Sequence, residues 1–293
     1  MKTNKNIDRV LIFANIEKNR IGRLIEELLP IIETHKAEVL FEESIARLIN
    51  EKAVFRNNIP NDIDMVISLG GDGTMLAAAR MVAEREIPIL GINLGHLGFL
   101  NELDPSEIAS AIPEILAGKY KIDSRMMIEV LPPGRKEYSC ALNEMVLERG
   151  ESPRIISHKV FISGDFVAAI SADGIIVSTP TGSTAYNMAA GGGILAPSME
   201  AFQVTPLSPY TLAIRSLVAH ASETIEIEYQ TDGIAFPRLT LDGQATEEMP
   251  PNGSIKIRKA PFSAHFVHYH NRSFYKVLRD KLGWANSPRP DTN

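Results

Sequence analysis

The hydrophobic period of the chain changes once, near Asp123, and this limits the fold more than any other feature. Before that point, short apolar runs at residues 10–14, 63–69 and 88–92 alternate with helical spacing at 21–35 and 74–84. In 21–35, Ile21, Leu24, Ile25, Leu28, Leu29 and Ile32 recur on one helix face, and in 74–84 Met75, Leu76, Ala79 and Val82 do the same. Strands alternating with helices predict a parallel sheet with crossover helices. Asp104, Pro105 and Glu107 supply a cap, a first-turn proline and an acid for a further helix, which Pro113 is expected to break or kink. After Asp123 the chain breaks into short β-like runs at 126–131, 225–229, 239–241 and 255–257. Residues 160–162 and 166–170 flank Ser163-Gly164-Asp165 as a hairpin. Helical spacing returns at 273–282 and stops at Gly283. The expected architecture is α/β plus all-β: an N-terminal parallel α/β domain over 1–123, an all-β domain over 124–270, and a C-terminal helix over 271–293 returning to the first domain, with a frayed tail at 287–293.

Charge and cysteine content narrow the function. The 293 residues carry 30 basic and 36 acidic side chains, a net charge of −6, which disfavours a nucleic-acid partner. The single cysteine, Cys140, rules out an internal disulfide and a cysteine-based zinc cluster, and reads as a small buried hydrophobe. Residues 1–8 lack the apolar core of a signal peptide, and no apolar run reaches membrane-spanning length. The expectation is a cytoplasmic protein with no membrane partner.

Gly70-Gly71-Asp72-Gly73-Thr74 falls where an apolar strand hands over to a helix. Ligands of open α/β sheets bind outside the carboxyl ends of strands, and amides at the following helix start attract anions. Gly70, Gly71 and Thr74 are therefore candidate phosphate contacts. The loop lacks a Walker lysine, and Leu76 stands where the Rossmann pattern needs glycine. A carboxylate repels phosphate, so Asp72 is better explained as a base or a partner for Mg²⁺ in phosphoryl transfer to a hydroxyl. A second glycine cluster, 91–98, follows the next strand, and His96 within it is a possible phosphate contact. Asn143-Glu144 closes a strand at 138–142 and offers the donors and acceptors that suit two vicinal ribose hydroxyls. Residues 178–186, Ser-Thr-Pro-Thr-Gly-Ser-Thr-Ala-Tyr, form a small, hydroxyl-rich loop ending in an aromatic suited to stacking on a base. His265, set against His268 and His270 by strand parity, and the basic stretch 272–281 carry the plainer readings of a strand and a solvated face.

Taken together, GGDGT, Asn143-Glu144, the TPTGSTAY segment at 179–186 and Leu241-Asp242-Gly243-Gln244 resemble the bacterial NAD kinase family from Val10 to Trp284. GGDGT alone is shared with diacylglycerol and sphingosine kinases and resembles a motif of 6-phosphofructokinase; TGSTAY separates NAD kinases from these. The resemblance implies an α/β domain with a β-sandwich-like domain and a site between them. It implies ATP-dependent phosphorylation of the adenosine-ribose 2′-hydroxyl of NAD, with a divalent cation such as Mg²⁺, in a homodimer or homotetramer. It makes Asp72 the proton acceptor and Gly73 a contact of the same substrate. It gives Asn143 and Glu144 to the nicotinamide-side ribose. Arg154, Ser171, Asp173, Thr184, Ala185, Tyr186, Asn187, Met188, Ala189 and Gln244 become dinucleotide contacts. Ser171 stands where the family often has a basic residue, and Pro206-Leu207-Ser208-Pro209-Tyr210 departs from the usual Pro-x-Cys-Pro-His.

Overall fold

The computed structural model describes residues 6–14, 21–56, 58–95, 98–233, 236–270 and 273–284; His96 and the tail at 287–293 lie outside them. The chain divides into two compact units. The first comprises residues 1–78, 87–123 and 265–293; the second comprises 79–86 and 124–264.

In the first unit, β1 (Arg9–Ala14), α1 (Ile21–Thr34), β2 (Glu38–Glu42), α2 (Glu43–Ile49), β3 (Ala53–Val54) and β4 (Met65–Leu69) are followed by α3 (Asp72–Val82), β5 (Ile89–Ile92) and α4 (Ile108–Leu116). The strands run parallel in the order β5-β4-β1-β2-β3. Every residue of β4 is buried, as expected for a strand covered on both faces. Val10, Ile12, Met65, Ile67, Leu90 and Ile92 share one core with the buried stripes of α1 and α4. Each such side chain stabilises by roughly 1.5–3 kcal/mol. That burial explains why Pro113 does not end its helix: it sits inside α4, flanked by the buried face Ile108, Ala111, Ile112, Ile115 and Leu116. Pro30 sits inside α1 in the same way.

The second unit holds most of β6 (Lys121–Leu131), then β7 (Ser139–Ala141), β8 (Glu144–Glu148), β9 (Ile156–Ile162), β10 (Asp165–Ala172), β11 (Gly174–Ser178), α5 (Tyr186–Ala189), β12 (Ala201–Leu207), β13 (Leu217–His220), β14 (Ile225–Gln230), β15 (Arg238–Leu241) and β16 (Ala245–Glu248). The last strand, β17 (Asn252–His268), pairs antiparallel with β14 in this unit. One sheet of the unit contains β10, β9, β14 and β17; the other runs β13-β12-β11-β8-β15-β16. Inward residues at alternate positions, Ile225, Ile227, Ile255 and Ile257 on one sheet and Met145, Leu147, Ile175 and Val177 on the other, meet in one core. This is sandwich packing. The β9–β10 hairpin turns at Ser163 and Gly164, both with positive φ, 50° and 90°.

The closing segment belongs to the first unit, where Phe266 of β17 pairs in parallel with Ile89 of β5. Helix α6 (Phe274–Leu282) starts at Ser273, whose side chain accepts from Lys276 N, and stops at Gly283 in the left-handed region. The Phe274 ring lies 6.3 Å from that of Phe99, and Lys281 Nζ sits 5.4 Å above the Phe99 ring. No described helix is long and apolar enough to cross a membrane.

Candidate active site

At the carboxyl end of β4 the glycine loop is shorter than expected. Helix α3 begins at Asp72, not Thr74, because the Gly71 carbonyl already accepts from Thr74 N at 2.9 Å and Met75 N at 3.2 Å. Gly70 is required by close approach: a Cβ there would lie 2.1 Å from Thr74 Oγ1. Gly73, the next residue, is exposed at the start of the helix.

The half-buried Asp72 carboxylate is held by the loop after β5. Its Oδ2 accepts from Phe99 N at 2.8 Å, and its Oδ1 accepts from Leu100 N and Asn101 Nδ2, both at 3.1 Å. A carboxylate offers about four acceptor positions, so among the described residues one is left without a donor, on Oδ2. Gly98 makes this possible, since a Cβ at that position would fall 1.8 Å from Asp72 Oδ1. The second glycine cluster thus serves the carboxylate directly. The sequence marked the cluster but not these three donors, because two are backbone amides, which carry no residue signature, and the third, the Asn101 side chain, belongs to no local motif.

In the second unit, the Asn143-Glu144 pair does not close a strand. The strand before it stops at Ala141, and Glu144 opens β8. The reason is Asp242, which is fully buried. Its carboxylate accepts from Leu142 N at 3.1 Å, Asn143 N at 2.7 Å and Glu144 N at 3.3 Å, and Arg80 Nη1 pairs with it at 2.7 Å. Four donors on one carboxylate pull the chain out of ladder pairing at Leu142–Asn143. Asp242 takes φ 51° in an Asp-Gly turn between β15 and β16, a local signal that shows the turn but not its distant partners.

Glu144 is 5 % exposed, and its Oε2 has no hydrogen-bond partner among the described residues. Burial, reinforced by the Asp242 charge, pushes its carboxyl up to about 8. Beside it, Thr179 N donates to Asn143 O at 2.8 Å and Thr179 Oγ1 donates to Leu142 O at 2.6 Å. Gly182 packs onto the same backbone so closely that a Cβ would sit 2.1 Å from Asn143 O. The hydroxyls of this loop therefore act first as its own scaffold. Thr184 is half-buried, with Oγ1 donating to Thr181 O at 3.4 Å. Tyr186 is 45 % exposed and open to stacking. Ala185, Met188 and Ala189 lie on the partly open side of the turn. Asn187 points inward: its amide meets that of Gln203 at 2.6 Å and accepts from Thr205 Oγ1 at 2.7 Å. Gln244 is exposed, and its Oε1 accepts from Arg80 Nη2 at 2.5 Å.

The other expected dinucleotide residues lie elsewhere. Strand pairing puts Ser178 and Leu241 at the Glu144 end of β8, and Gly174 and Arg238 at its Glu148 end. Asp173 adjoins the Glu148 end, where it pairs with Arg149 at 2.9 Å. Ser171 is exposed nearby, its carbonyl accepting from Tyr210 N at 2.9 Å. Arg154 pairs with Asp232 and lines a cavity of about 390 Å³ with Phe236 and Arg238. At a strand rise of ~3.3 Å per residue, the two ends of β8 are roughly 13 Å apart. His268 Nδ1 and His270 Nε2 lie 3.1 and 2.9 Å from carboxylate oxygens of Glu102 and Glu107.

Comparison with known proteins follows the same division. The ATP-NAD kinase N-terminal domain family matches residues 10–120, and the ATP-NAD kinase C-terminal domain family matches residues 142–269. An NAD kinase of Carboxydothermus hydrogenoformans is 47 % identical over 227 residues, covering 76 % of this chain and 81 % of that protein. One from Marinomonas sp. is 36 % identical over 288 residues, covering 96 % and 98 %. Among solved structures, yeast NADH kinase complexed with NADH shares the fold with a TM-score of 0.87 at 23 % identity, over 98 % of this chain and 90 % of that one. An Archaeoglobus fulgidus NAD kinase in complex with ATP gives 0.74 at 24 % identity, over 94 % and 98 %.

Proposed function

The chain belongs to the NAD kinase family, and from that premise we propose that Asp72 is the base in the transfer of the ATP γ-phosphoryl group to the adenosine-ribose 2′-hydroxyl of NAD. The observation that carries this reading is the acceptor position on Asp72 Oδ2 that no donor among the described residues takes, with the other positions of the carboxylate held by three donors. The hydroxyl proton passes to Oδ2 as its oxygen attacks the γ-phosphorus, and ADP leaves with the bridging oxygen. A positioned base of this kind contributes about 10²–10⁴-fold. The amides at the start of α3 and the exposed Gly73 suit the approach of phosphate oxygens.

Glu144 with Asn143 is read as the ribose-binding pair. The unpartnered Oε2 supports this, because a buried acceptor without a donor costs about 1–3 kcal/mol and a ribose hydroxyl supplies the donor. A divalent cation would be held with the triphosphate. Among the described residues no group of three His, Cys, Asp or Glu side chains forms a cage, and magnesium held mainly by phosphate and water needs none. Its charge would neutralise the phosphates. The half-buried Cys140, its thiol pushed up to about 11 chiefly by burial, suits a reducing cytoplasm.

A homodimer or homotetramer fits the same reading. Edge strand β13 exposes Leu217 and Val218 on opposite sides, beside the exposed Tyr210 and Leu212. Arg154, Ser171 and Asp173, one strand length from Glu144, are available to a second copy. The test of the function is a radiolabelled transfer assay offering NAD, diacylglycerol and fructose 6-phosphate in parallel. Label confined to NAD supports it, whereas transfer to the lipid or sugar overturns it.

A further inference from the structure

The loop that holds Asp72 is itself held from behind. Strand β17 ends at His268, so the amides of Tyr269 and His270 have no ladder partner. Glu102, 7 % exposed, accepts from both through Oε1, and its Oε2 meets His268 Nδ1 at 3.1 Å. The residue just before Glu102 is Asn101, whose side chain donates to Asp72, and the two before that give the other donors. Glu102 N and Leu103 N both donate to Gly91 O, and Asn93 N donates to Leu103 O. The segment is therefore pinned to β5 through its backbone and to the C-terminal segment through one carboxylate. Its remaining free end carries Phe99, which rests on Phe274 and Lys281 of α6.

We propose that Glu102 is a positioning residue for phosphoryl transfer. By clamping residues 99–101 between the C-terminal segment and Asp72, it fixes which oxygen of Asp72 stays open and where it points. The inference rests on the reading of Asp72 as the base. The physical warrant is the tolerance of the chemistry. Catalytic groups must hold within about 0.5 Å of productive geometry, and a shift of about 1 Å can cost ~10²-fold. Loss of Glu102 frees two half-buried amides and lets the donor segment follow them, so Asp72 gains an alternative orientation. Substrate contacts made by the second unit do not pass through this clamp. The effect therefore falls on kcat and not on KM.

The test is a double-mutant cycle on the full chain, with steady-state kinetics for NAD and ATP varied separately. Glu102→Leu should lower kcat by about 10- to 100-fold, with both KM values within about twofold. Glu102→Gln keeps an oxygen able to accept both amides and should recover kcat to within about threefold of the parent. In an Asp72→Asn background, assayed at high enzyme concentration, Glu102→Leu should cost less than about twofold, because the group it positions is gone. An equal loss in both backgrounds, or a loss carried by KM, overturns the proposal while leaving Asp72 as the base. An Asp72→Asn variant that keeps its turnover overturns the base reading itself, and the inference with it. If Glu102→Leu does not fold, Phe274→Ala probes the same clamp through Phe99. It should lower kcat by about 3- to 10-fold in the parent and leave the Asp72→Asn enzyme unchanged, and equal losses in the two would again overturn the proposal.

Discussion

Asp72 and Glu144 are both carboxylates at candidate substrate positions, and their surroundings ask opposite things of them. Asp72 accepts three hydrogen bonds, whereas Glu144 Oε2 accepts none among the described residues. Asp72→Asn should lower kcat by at least ~10²-fold with NAD affinity largely kept, as measured by steady-state kinetics and equilibrium binding. Either oxygen that becomes an amide nitrogen must then face an N–H donor, so a stability loss of about 1–3 kcal/mol should accompany the change. For Glu144, with its carboxyl raised to about 8, the prediction concerns protons. A ribose hydroxyl donating to Oε2 favours the ionised form, so NAD binding near pH 7 should release a proton. Calorimetry in two buffers of different ionisation enthalpy reads this directly. The release should vanish in Glu144→Gln, and its absence in the parent would return Glu144 to a structural role. These two residues were legible in the sequence as chemistry, through a carboxylate in a glycine loop and an Asn-Glu pair. Their pinning was not, because Phe99, Leu100 and Asn101, and Asp242 from almost a hundred residues away, act through contacts that have no local pattern.

Elements were easiest to read where apolar burial alone decides them. Helix α1 and strand β4 follow from the buried spacing of their apolar residues. Their ends were harder. Helix α3 starts two residues early because of the Gly71 carbonyl, and the strand before Glu144 stops short because Asp242 takes its amides. Pro113 shows packing overriding a local breaker. Close approach between elements gives a sharp prediction at Gly98, where a methyl group has no room beside Asp72. Gly98→Ala should preserve the fold, as judged by circular dichroism, yet lower kcat by about 10²-fold by displacing the carboxylate. Inside the sandwich, His158 of β9 is 1 % exposed, with Nδ1 against Ile170 O at 3.3 Å and Nε2 without a hydrogen-bond partner among the described residues. Burial lowers its imidazole from 6.5 to about 4. The folded chain then holds it neutral while the unfolded chain takes up a proton. Its contribution is complete above pH 6.5 and is lost as pH falls through 6.5 to 4, by about 3 kcal/mol in all. Urea unfolding at pH 7.5 and 4.5 should show that difference shrinking in His158→Phe, and an unchanged pH dependence would remove His158 from the account.

At the scale of the whole molecule, the change of hydrophobic period near Asp123 foretold two architectures, and the chain builds a parallel α/β unit and a β-sandwich unit. What that period cannot convey is how residues far apart in sequence sort along a single strand. The expected dinucleotide contacts divide between the two ends of β8, with Asn143, Glu144 and Tyr186 associated with one and Arg154, Ser171 and Asp173 with the other. A motif read in order gives no such partition, because sheet pairing sets it. If both groups serve one dinucleotide, a second copy of the chain is the natural source of the distant set, and β13 is an edge strand with apolar side chains exposed on both sides. Val218, 47 % exposed on that edge, makes the idea testable. Val218→Lys places a charge where edge pairing would bury it, a device that blocks strand-to-strand association. The variant should shift the mass seen by light scattering towards that of one chain. It should also raise KM for NAD while leaving KM for ATP little changed, because only the dinucleotide set is divided. A second, independent check mixes two impaired variants, Asp72→Asn and Asp173→Ala. If copies share sites, co-expression restores some sites that have both groups intact, and activity exceeds the sum of the separate enzymes. A parent that scatters as a fully active single chain at assay concentration, with no gain on mixing, would assign the Arg154–Asp173 group to some other role.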